Sequence, residues 1–551
     1  MHVPSSINYS PAALMKTKPS RWRTPEFAFY GVAFLVVVPF IFKSAIELSQ
    51  TSHPNYIMYQ DRLSNGWLFG RKVDNSDMQY RSFRNNFMSL LFLSSVHLIS
   101  SKLYTKCVHA GPSPYSQNST RAPFLLITSI SLIFILHGAS ALKILGILIL
   151  NYLLTKSSAG QRYGVYVAWS FNIFILFANK HYDGYRFESL HASLAFLDAF
   201  RGVYPRWSIS FNVTILRLIS FGLDFNWASR AMNTELNQQN SKSFTSDDRH
   251  RISDPHPLEM YNLVNYVSYT LYPPLYIAGP IMTFNDFVWQ LREPVQISRR
   301  TRVGYALRFL VSLLTMEFVL HFMYVVAIKD AKAWTGDTPF QLAMIGYWNL
   351  VIIWLKLLIP WRFFRLWSLL DGFDPPENMI RCVSNNYSTL GFWRSWHRSY
   401  NLWLIRYIYI PLGGGDKRSF GIIPKLIVFT FVALWHDLST QLLAWSWLVV
   451  LFIIPEVSCT RLFPESKYDG RSWYRHVCAV GGALNIIMMM LANLVGFVLG
   501  ADGVRYLVNQ LLHEWEGAKF LLVALPCLFI AVQVMFEYRE SEKRKGIFRK
   551  C

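Results

Sequence analysis

Two histidines stand among apolar and aromatic residues of this 551-residue chain, in the stretch Asn385–Asp437. His397 follows the run FWRSW, and His436 ends the run VALW and precedes Asp437. A neutral imidazole in a dry cavity can take a proton from a hydroxyl group, and the activated hydroxyl then attacks a thioester or ester. A second polar side chain can orient the acceptor or stabilise the oxyanion. These residue types indicate acyl transfer, although a turn capped by His436 and a backbone hydrogen bond from His397 would explain them equally well.

The residues around His397 predict an amphipathic helix from Phe392 to Tyr409, which the Pro411–Gly415 run then ends. At about 100° per residue, one face of this helix carries Arg394, His397, Arg398 and Asn401. The opposite face carries Phe392, Trp396, Tyr400, Trp403 and Tyr407. Because lipid does not accept the charged face, the helix should form the wall of a wet cavity or lie at a membrane interface.

His436 lies between two apolar runs, Leu426–Trp435 and Leu442–Ile454. A single helix over both runs would be roughly 43 Å long, whereas the hydrocarbon core of a bilayer is about 30 Å thick. Either the helix tilts steeply, or the chain turns near His436 and Asp437 inside the bundle. Both alternatives place an ionisable pair at depth, which is typical of a functional site.

Composition places the chain among membrane proteins, because 52% of its residues are hydrophobic and 16% are aromatic. Lys and Arg number 54 against 33 Asp and Glu, which gives a net charge of +21. This excess is scattered through the loops, so it indicates membrane topology and contact with anionic headgroups, and no nucleic-acid partner is expected. The six cysteines have no paired spacing, so we expect neither a disulfide framework nor a metal site.

The order of the apolar runs predicts an all-α polytopic membrane protein with about eleven spans and further re-entrant or interfacial helices. Arg206–Phe225 is one predicted re-entrant or interfacial helix, because Asn212, Arg217 and Asp224 interrupt it. Met260–Phe287 should break at its Pro-Pro and Gly-Pro pairs. The predicted units are a basic segment 1–26, transmembrane helices 27–204, a core 205–455, transmembrane helices 456–536 and a basic tail 537–551.

Basic residues at both ends are cues to the orientation of the chain. Lys16–Arg23 and Lys543–Lys550 each predict a cytosolic terminus. An odd number of crossings would make these cues incompatible, so the count of about eleven implies that one of them misleads. The polar segment from about Thr234 to Pro257 is expected to be a mobile loop.

The run FWRSWHRSYNLWLIRYIYIPLGG, followed after an apolar helix by LWH, resembles the signature of the membrane-bound O-acyltransferase (MBOAT) family. FNVTILRLISFGLDF and YPPLYIAGPIMTFNDF also look like family segments, so the resemblance covers roughly residues 205 to 455. LDGFDPPENMIRCVSNNYSTLGFWRSW, together with RYIYIPLGG, is similar to a narrower branch that holds the Hedgehog acyltransferases and the fungal glycerol uptake (Gup) proteins. His397 stands where Hedgehog acyltransferases carry Asp, which favours the fungal branch.

The resemblance implies an MBOAT core with a central tunnel and acyl transfer from acyl-CoA to an acceptor presented from the other membrane face. His436 would be the catalytic base, with His397 as the second catalytic residue. The substrates would contact Asn401, Trp435, Arg394, Trp396 and Asp437. In the Gup branch the implied acceptor is the lyso-phosphatidylinositol of a GPI anchor, or another lysolipid. The implied donor is a very long saturated acyl-CoA, and the expected location is the endoplasmic reticulum membrane, with the plasma membrane as the alternative.

Two further expectations concern ligands. The anionic phosphates of CoA would meet basic side chains on the cytosolic side, for which the candidates are Arg299, Arg300, Arg302, Lys356, Arg362 and Arg365. The simpler interpretation is that each of these residues is an ordinary loop charge in contact with solvent. Cys382 matches a cysteine that ligates haem in the Hedgehog relatives, while a structural thiol is the more common role.

A transporter is the rival class, for example a proton-coupled glycerol carrier, because a histidine in a membrane cavity suits proton coupling equally well. No internal repeat supports it. A catalytically silent lipid-binding scaffold is a third reading, which the presence of both histidines disfavours. G-x-S-x-G, Walker, H-E-x-x-H and dinucleotide motifs are all absent from the sequence.

Overall fold

The computed structural model describes residues 17–109, 121–204, 206–235, 248–414, 422–437, 439–547 and 549. These residues form an all-α polytopic membrane protein, as predicted, with one small antiparallel hairpin of β1 (Leu63–Asn65) and β2 (Lys72–Asp74) among them.

The helices are numbered in three groups along the chain. The first group is α1 Pro25–Leu48, α2 Tyr56–Tyr59, α3 Met78–Asn85, α4 Phe87–His109, α5 Arg121–His137, α6 Ser140–Ser157, α7 Gly164–His181 and α8 Trp207–Glu235. The second is α9 Asp248–Ser253, α10 Leu263–Thr270, α11 Pro273–Ala278, α12 Phe284–Arg292, α13 Arg299–Phe322, α14 Val325–Ala331 and α15 Pro339–Leu370. The third is α16 Thr389–Ser395, α17 Arg398–Leu404, α18 Ile422–His436, α19 Thr440–Leu462, α20 Glu465–Tyr468, α21 Tyr474–Asn493, α22 Gly500–His513 and α23 Trp515–Arg544.

Nine helices in the described ranges are long and apolar enough to cross a membrane, and α5 and α18 are shorter apolar helices. The nine are α1, α4, α6, α8, α13, α15, α19, α21 and α23. Nine candidates are fewer than the eleven or so spans expected from the sequence, a number that is reached only if α5 and α18 are counted as well.

The longest helix, α15, has a well-defined start. Thr338 and Gln341 form a capping box, in which each side chain accepts a hydrogen bond from the other residue's backbone N–H, and Pro339 occupies the first helical turn. The 32 residues of α15 pack against α1, α11, α13 and α23. Together with the buried α8, α15 forms the framework around which the other helices gather.

The prediction of a re-entrant or interfacial helix at Arg206–Phe225 is wrong. This stretch belongs to α8, which has 29 residues and is mostly buried within the bundle. Its charged residues are bonded inside the protein, so they need no contact with water. Arg217 Nη1 donates to the carbonyl oxygen of Thr270 at 2.9 Å, and Asp224 accepts from Arg406 Nη2 at 2.8 Å.

The predicted break within Met260–Phe287 is confirmed, because the segment divides into α10, α11 and the start of α12. Pro273 and Pro274 begin α11, where the missing N–H groups cost no hydrogen bond. Arg217 lies at the carboxyl end of α10, where a cation offsets the partial negative charge of the free carbonyl groups.

Described residues near the two ends of the chain meet on one side of the molecule. The N–H of Arg21 donates to Glu537 Oε1 at 3.1 Å, and Arg544 Nη1 donates to the carbonyl oxygen of Lys18 at 2.9 Å. The described parts of both basic segments therefore lie on the same side, which requires an even number of crossings. The expected odd count of about eleven, and the conflict between the two cues that followed from it, do not hold. This side is called the terminal side below, and the expectation that it faces the cytosol stays a prediction.

Some predicted segments are described only in part. Residues 1–16 of the basic N-terminal segment and 236–247 of the predicted mobile loop lie outside the described residues, and α9 forms the part of that loop from Asp248 onward. Residues 537–544 of the predicted tail continue α23 as a helix.

The chain turns at His436, as the second of the two alternatives predicted, but the expected ionisable pair is not held at depth, because Asp437 is exposed. Helix α18 ends at His436, and Ser439 caps the start of α19 by accepting a hydrogen bond from the N–H of Leu442. Lys18 pairs with Asp469, just beyond the far end of α19. Since α19 has 23 residues and is about 35 Å long, His436 lies on the side opposite the termini.

Candidate active site

One cavity of about 2040 Å³ contains both histidines. Along α15 its lining extends from Phe340 to Phe364, which corresponds to about 36 Å of helix. This length exceeds the roughly 30 Å of a hydrocarbon core, so the cavity crosses the whole depth of the bundle. Most of the lining is apolar, including α21 and α23 on one flank and α1 and α4 on the other.

The predicted continuous helix from Phe392 to Tyr409 is wrong, because the chain breaks immediately before His397. Helix α16 ends at Ser395, Trp396 is extended, and His397 has left-handed backbone angles of φ 43° and ψ 49°. Helix α17 then begins, and the segment Ile405–Tyr409 widens to a π-helix. The two predicted faces therefore do not exist as such: Trp396 and Tyr400 line the same cavity as Arg394, His397 and Asn401.

Hydrogen bonds from distant segments hold this break. Asn378, which is buried, accepts the N–H of Arg398 at its carbonyl oxygen (3.0 Å) and the N–H of Ser399 at Oδ1 (3.2 Å). The Oγ atom of Ser399 accepts the N–H of Ile281 at 2.9 Å. A left-handed non-glycine residue is strained, and such strain persists where surrounding contacts fix it, often at functional sites.

Helix α16 is also fixed at its start, by a carboxylate from α19. Glu456 Oε2 accepts the N–H groups of Thr389 at 2.8 Å and Leu390 at 3.2 Å, and Ser388 Oγ donates to the same side chain. A carboxylate suits a helix start because it satisfies free N–H groups and complements the helix dipole.

The imidazole of His397 stacks on Trp361 of α15, with ring centroids 4.4 Å apart and an interplanar angle of 23°. On its other sides lie Tyr400, at 5.2 Å, and Trp435, at 6.5 Å. The ring is therefore enclosed by aromatic side chains in the cavity wall.

His436 lies at the end of α18, where it is exposed and lines the cavity. Its ring contacts that of the preceding Trp435 at 4.8 Å. Trp435 is buried, and its Nε1 donates to the carbonyl oxygen of Asn212 on α8 at 3.0 Å. One indole is thus close to both histidines and is fixed to α8.

The cavity brings together most of the side chains that the sequence singled out. His397, His436, Asn401, Trp435, Arg394 and Trp396 all line it. Asp437 does not: its carboxylate pairs with Lys180 Nζ at 2.7 Å on an exposed surface, since the turn after α18 directs the residue toward the end of α7.

Cys382 is exposed and does not line the cavity, although the adjacent Val383 and Ser384 do. No group of three metal-ligating His, Cys, Asp or Glu side chains occurs in the described ranges. The surroundings of Cys382 do not single out a haem site, so haem stays a prediction and no step below depends on it.

Several of the basic residues considered for CoA phosphates already have protein partners. Lys356 lines the cavity and pairs with Asp77 at 2.6 Å, and the buried Arg365 pairs with Asp374 at 2.6 Å. Arg362 Nη1 donates to Ser312 Oγ at 2.6 Å. These three side chains are therefore held by structural contacts.

Sequence reasoning missed three residues that shape the site: Trp361, Asn378 and Tyr400. Trp361 and Asn378 come from segments preceding the histidine motif, so no spacing within that motif points to them. Tyr400 was assigned to the opposite helix face, because the ideal helical period assumes a helix without a break.

The model of the membrane-bound O-acyltransferase family, MBOAT, matches residues 189–501, which include both histidines. The chain belongs to this family. It is 48% identical to the membrane-bound O-acyltransferase GUP1 of Saccharomyces cerevisiae, over 99% of this chain and 97% of that protein. GUP1 of Candida tropicalis is also 48% identical, over 97% of this chain and 90% of that protein.

A more distant MBOAT relative is the protein-cysteine N-palmitoyltransferase HHAT of Mus musculus, which is 29% identical over 45% of this chain and 52% of that protein. Family and relatives establish the chain as an acyltransferase and a multi-pass membrane protein. The domain boundaries proposed from the sequence, with an MBOAT core at 205–455, stay a prediction.

Proposed function

We propose that this MBOAT transfers a long-chain acyl group from acyl-CoA to a hydroxyl group of a lipid, with His436 as general base and His397 as the second catalytic residue. Asn401 and Trp435 position the acceptor, and Arg394 and Trp396 contact the substrates. The observation that carries this proposal is the placement of both histidines beside one indole in a cavity that crosses the bundle.

The shape of the cavity supports two separate entry routes. A donor with a large polar head can approach from the terminal side while its acyl chain lies against apolar helices. An acceptor can approach from the opposite side, where α18 ends at His436. Because most of the lining is apolar, it disfavours water beside the thioester and so slows hydrolysis.

The chemistry balances with these two substrates alone. Neutral His436 takes the proton of the acceptor hydroxyl as its oxygen attacks the thioester carbonyl carbon. The tetrahedral intermediate collapses with cleavage of the carbon–sulfur bond. The CoA thiolate takes the proton back from the imidazolium, which yields the acyl ester and CoA and regenerates neutral His436.

For the acceptor we propose the lyso-phosphatidylinositol of a GPI anchor, and for the location the endoplasmic reticulum membrane. The near full-length similarity to proteins named GUP1 supports this branch, for which the sequence resemblance implies GPI-anchor lipid remodelling. This acceptor and location are compatible with an acceptor route on the side of His436 and with basic residues on the terminal side.

A reconstituted assay tests the function. Purified protein in lipid nanodiscs receives a very long saturated acyl-CoA and one of three acceptors: lyso-phosphatidylinositol, lyso-phosphatidylcholine or lyso-phosphatidylethanolamine. We expect ester formation, detected by mass spectrometry, with one CoA released per ester and a preference for the inositol lipid. Equal rates with all three acceptors would contradict the assigned acceptor. Glycerol flux in liposomes without any acylated product would instead identify a carrier and contradict the enzymatic proposal.

A further inference from the structure

Tyr400 combines burial with an unsatisfied polar group. Its side chain is only 4% exposed and lines the cavity. Its hydroxyl group is buried and has no hydrogen-bond partner within the described part of the chain. A buried hydroxyl without a partner is costly, and Phe would fill the same space without that cost.

Among the buried phenols of the described residues, Tyr80 is the other one whose hydroxyl has no partner, and it does not line the cavity. The remaining buried phenols bond to protein groups. Tyr276 Oη bonds to His137 Nε2 at 2.8 Å, and Tyr407 Oη donates to Asp224 Oδ1 at 3.0 Å. Tyr59 Oη donates to the carbonyl oxygen of Leu48 at 2.7 Å. Tyr400 is therefore the unpaired buried phenol, among the described residues, that lines the cavity, and a ligand atom there would supply the missing acceptor.

The position of Tyr400 restricts what that ligand atom can be. Its ring lies 5.2 Å from His397 and 4.6 Å from Trp435, and Trp435 in turn contacts His436. The phenol is therefore adjacent to the place where both histidines meet the substrates. Among the reacting groups, the thioester carbonyl oxygen is an acceptor that gains negative charge during the reaction, and a prepositioned donor stabilises that charge.

We propose that Tyr400 is a further catalytic residue, whose hydroxyl donates a hydrogen bond to the thioester carbonyl oxygen of the acyl donor. This inference rests on the proposed function. When the acceptor oxygen attacks, the carbonyl π electrons move to that oxygen, and the Tyr400 O–H bonds to the resulting oxyanion without transferring its proton. When the carbon–sulfur bond breaks, the carbonyl re-forms and the hydrogen bond weakens.

The test compares Tyr400→Phe with wild type and with Tyr59→Phe. Tyr59 is a buried phenol outside the cavity lining. For Tyr400→Phe we expect kcat to fall about 100-fold. Its melting temperature should be unchanged or higher, because an unsatisfied hydroxyl is removed. For Tyr59→Phe we expect the reverse pattern, with unchanged kcat and a lower melting temperature.

A binding measurement separates transition-state stabilisation from packing. An S-alkyl-CoA thioether lacks the thioester carbonyl oxygen, so wild type and Tyr400→Phe should bind it equally. Weaker thioether binding by the variant, or wild-type kcat, would overturn the role of Tyr400 while leaving the proposed function standing. A wild-type protein that forms no ester would overturn both.

Discussion

The indole of Trp435 is a neighbour of both histidine rings, with its ring centroid 4.8 Å from that of His436 and 6.5 Å from that of His397. Its Nε1 is fixed by the carbonyl oxygen of Asn212 on α8. Trp435 therefore sets the spacing of the two imidazoles relative to the central helix of the bundle.

Replacing Trp435 with Phe should affect both activity and stability. The variant loses the hydrogen bond to Asn212 and part of the buried ring, which should lower the free energy of unfolding by about 2 kcal/mol. It should also lower kcat, because the two histidine rings lose the indole that lies beside both of them. Thermal melting and ester formation measure the two effects.

Trp348→Phe is the matched control for this prediction. Trp348 is buried, and its Nε1 donates to the carbonyl oxygen of Ile41 at 3.1 Å, but the residue does not line the cavity. We expect a similar loss of stability with kcat retained. An equal loss of kcat in both variants would show that Trp435 has no special relation to the histidines.

Helix α16 provides a second prediction, because its start depends on the charge of Glu456. Glu456→Gln keeps the shape of the side chain but removes the charge that complements the helix dipole, so stability should fall by about 1 kcal/mol. Because α16 leads directly to His397, kcat should also fall. Urea or thermal unfolding together with the acylation assay measures these changes.

The control for this variant is Glu516→Gln at the start of α23. Glu516 is exposed and pairs with Lys519 at 2.6 Å, so its removal should change stability by less than about 0.5 kcal/mol. If Glu456→Gln and Glu516→Gln change stability and kcat to the same extent, the contact of Glu456 with α16 makes no specific contribution to either.

A third prediction concerns the contact between α23 and the segment 374–388, which precedes the active-site helices. Glu542 on α23 pairs with Arg381 at 2.8 Å, and both side chains are buried. Breaking a buried pair by removing one charge is strongly destabilising, so Glu542→Gln should cost about 3 kcal/mol. The loss should extend to activity, because the segment 374–388 also contains Asn378, which fixes the turn at His397.

Lys543→Gln serves as its control, since Lys543 forms a more exposed pair with Glu540 at 2.7 Å. Its melting temperature should stay within about one degree of wild type, consistent with the small worth of exposed ion pairs. If Glu542→Gln is as stable as this control, the ion pair between Glu542 and Arg381 does not hold the active-site segment in place.

Hydropathy and short motifs predicted the class of fold and the meeting of the two histidines in one cavity. The break at Pro-Pro and the turn at His436 also followed from local sequence, because proline geometry and the thickness of a bilayer are local constraints. These features required no knowledge of distant contacts.

The break before His397 could not be predicted in this way. It depends on Asn378 and Ile281, which are distant along the chain and bond to the backbone of α17. The same reason explains Asp437, whose partner Lys180 comes from α7. An ideal helical period takes no account of such contacts, so it placed Tyr400 on the wrong face.

The most direct measurement is the rate of ester formation by His436→Ala in nanodiscs with acyl-CoA and lyso-phosphatidylinositol, beside His181→Ala. His181 is exposed at the end of α7 and does not line the cavity. We predict a fall in kcat of about 1000-fold for His436→Ala with the melting temperature preserved, because a general base contributes about that factor. The His181 variant should keep the wild-type rate. A His436→Ala protein that forms ester at the wild-type rate would contradict the account.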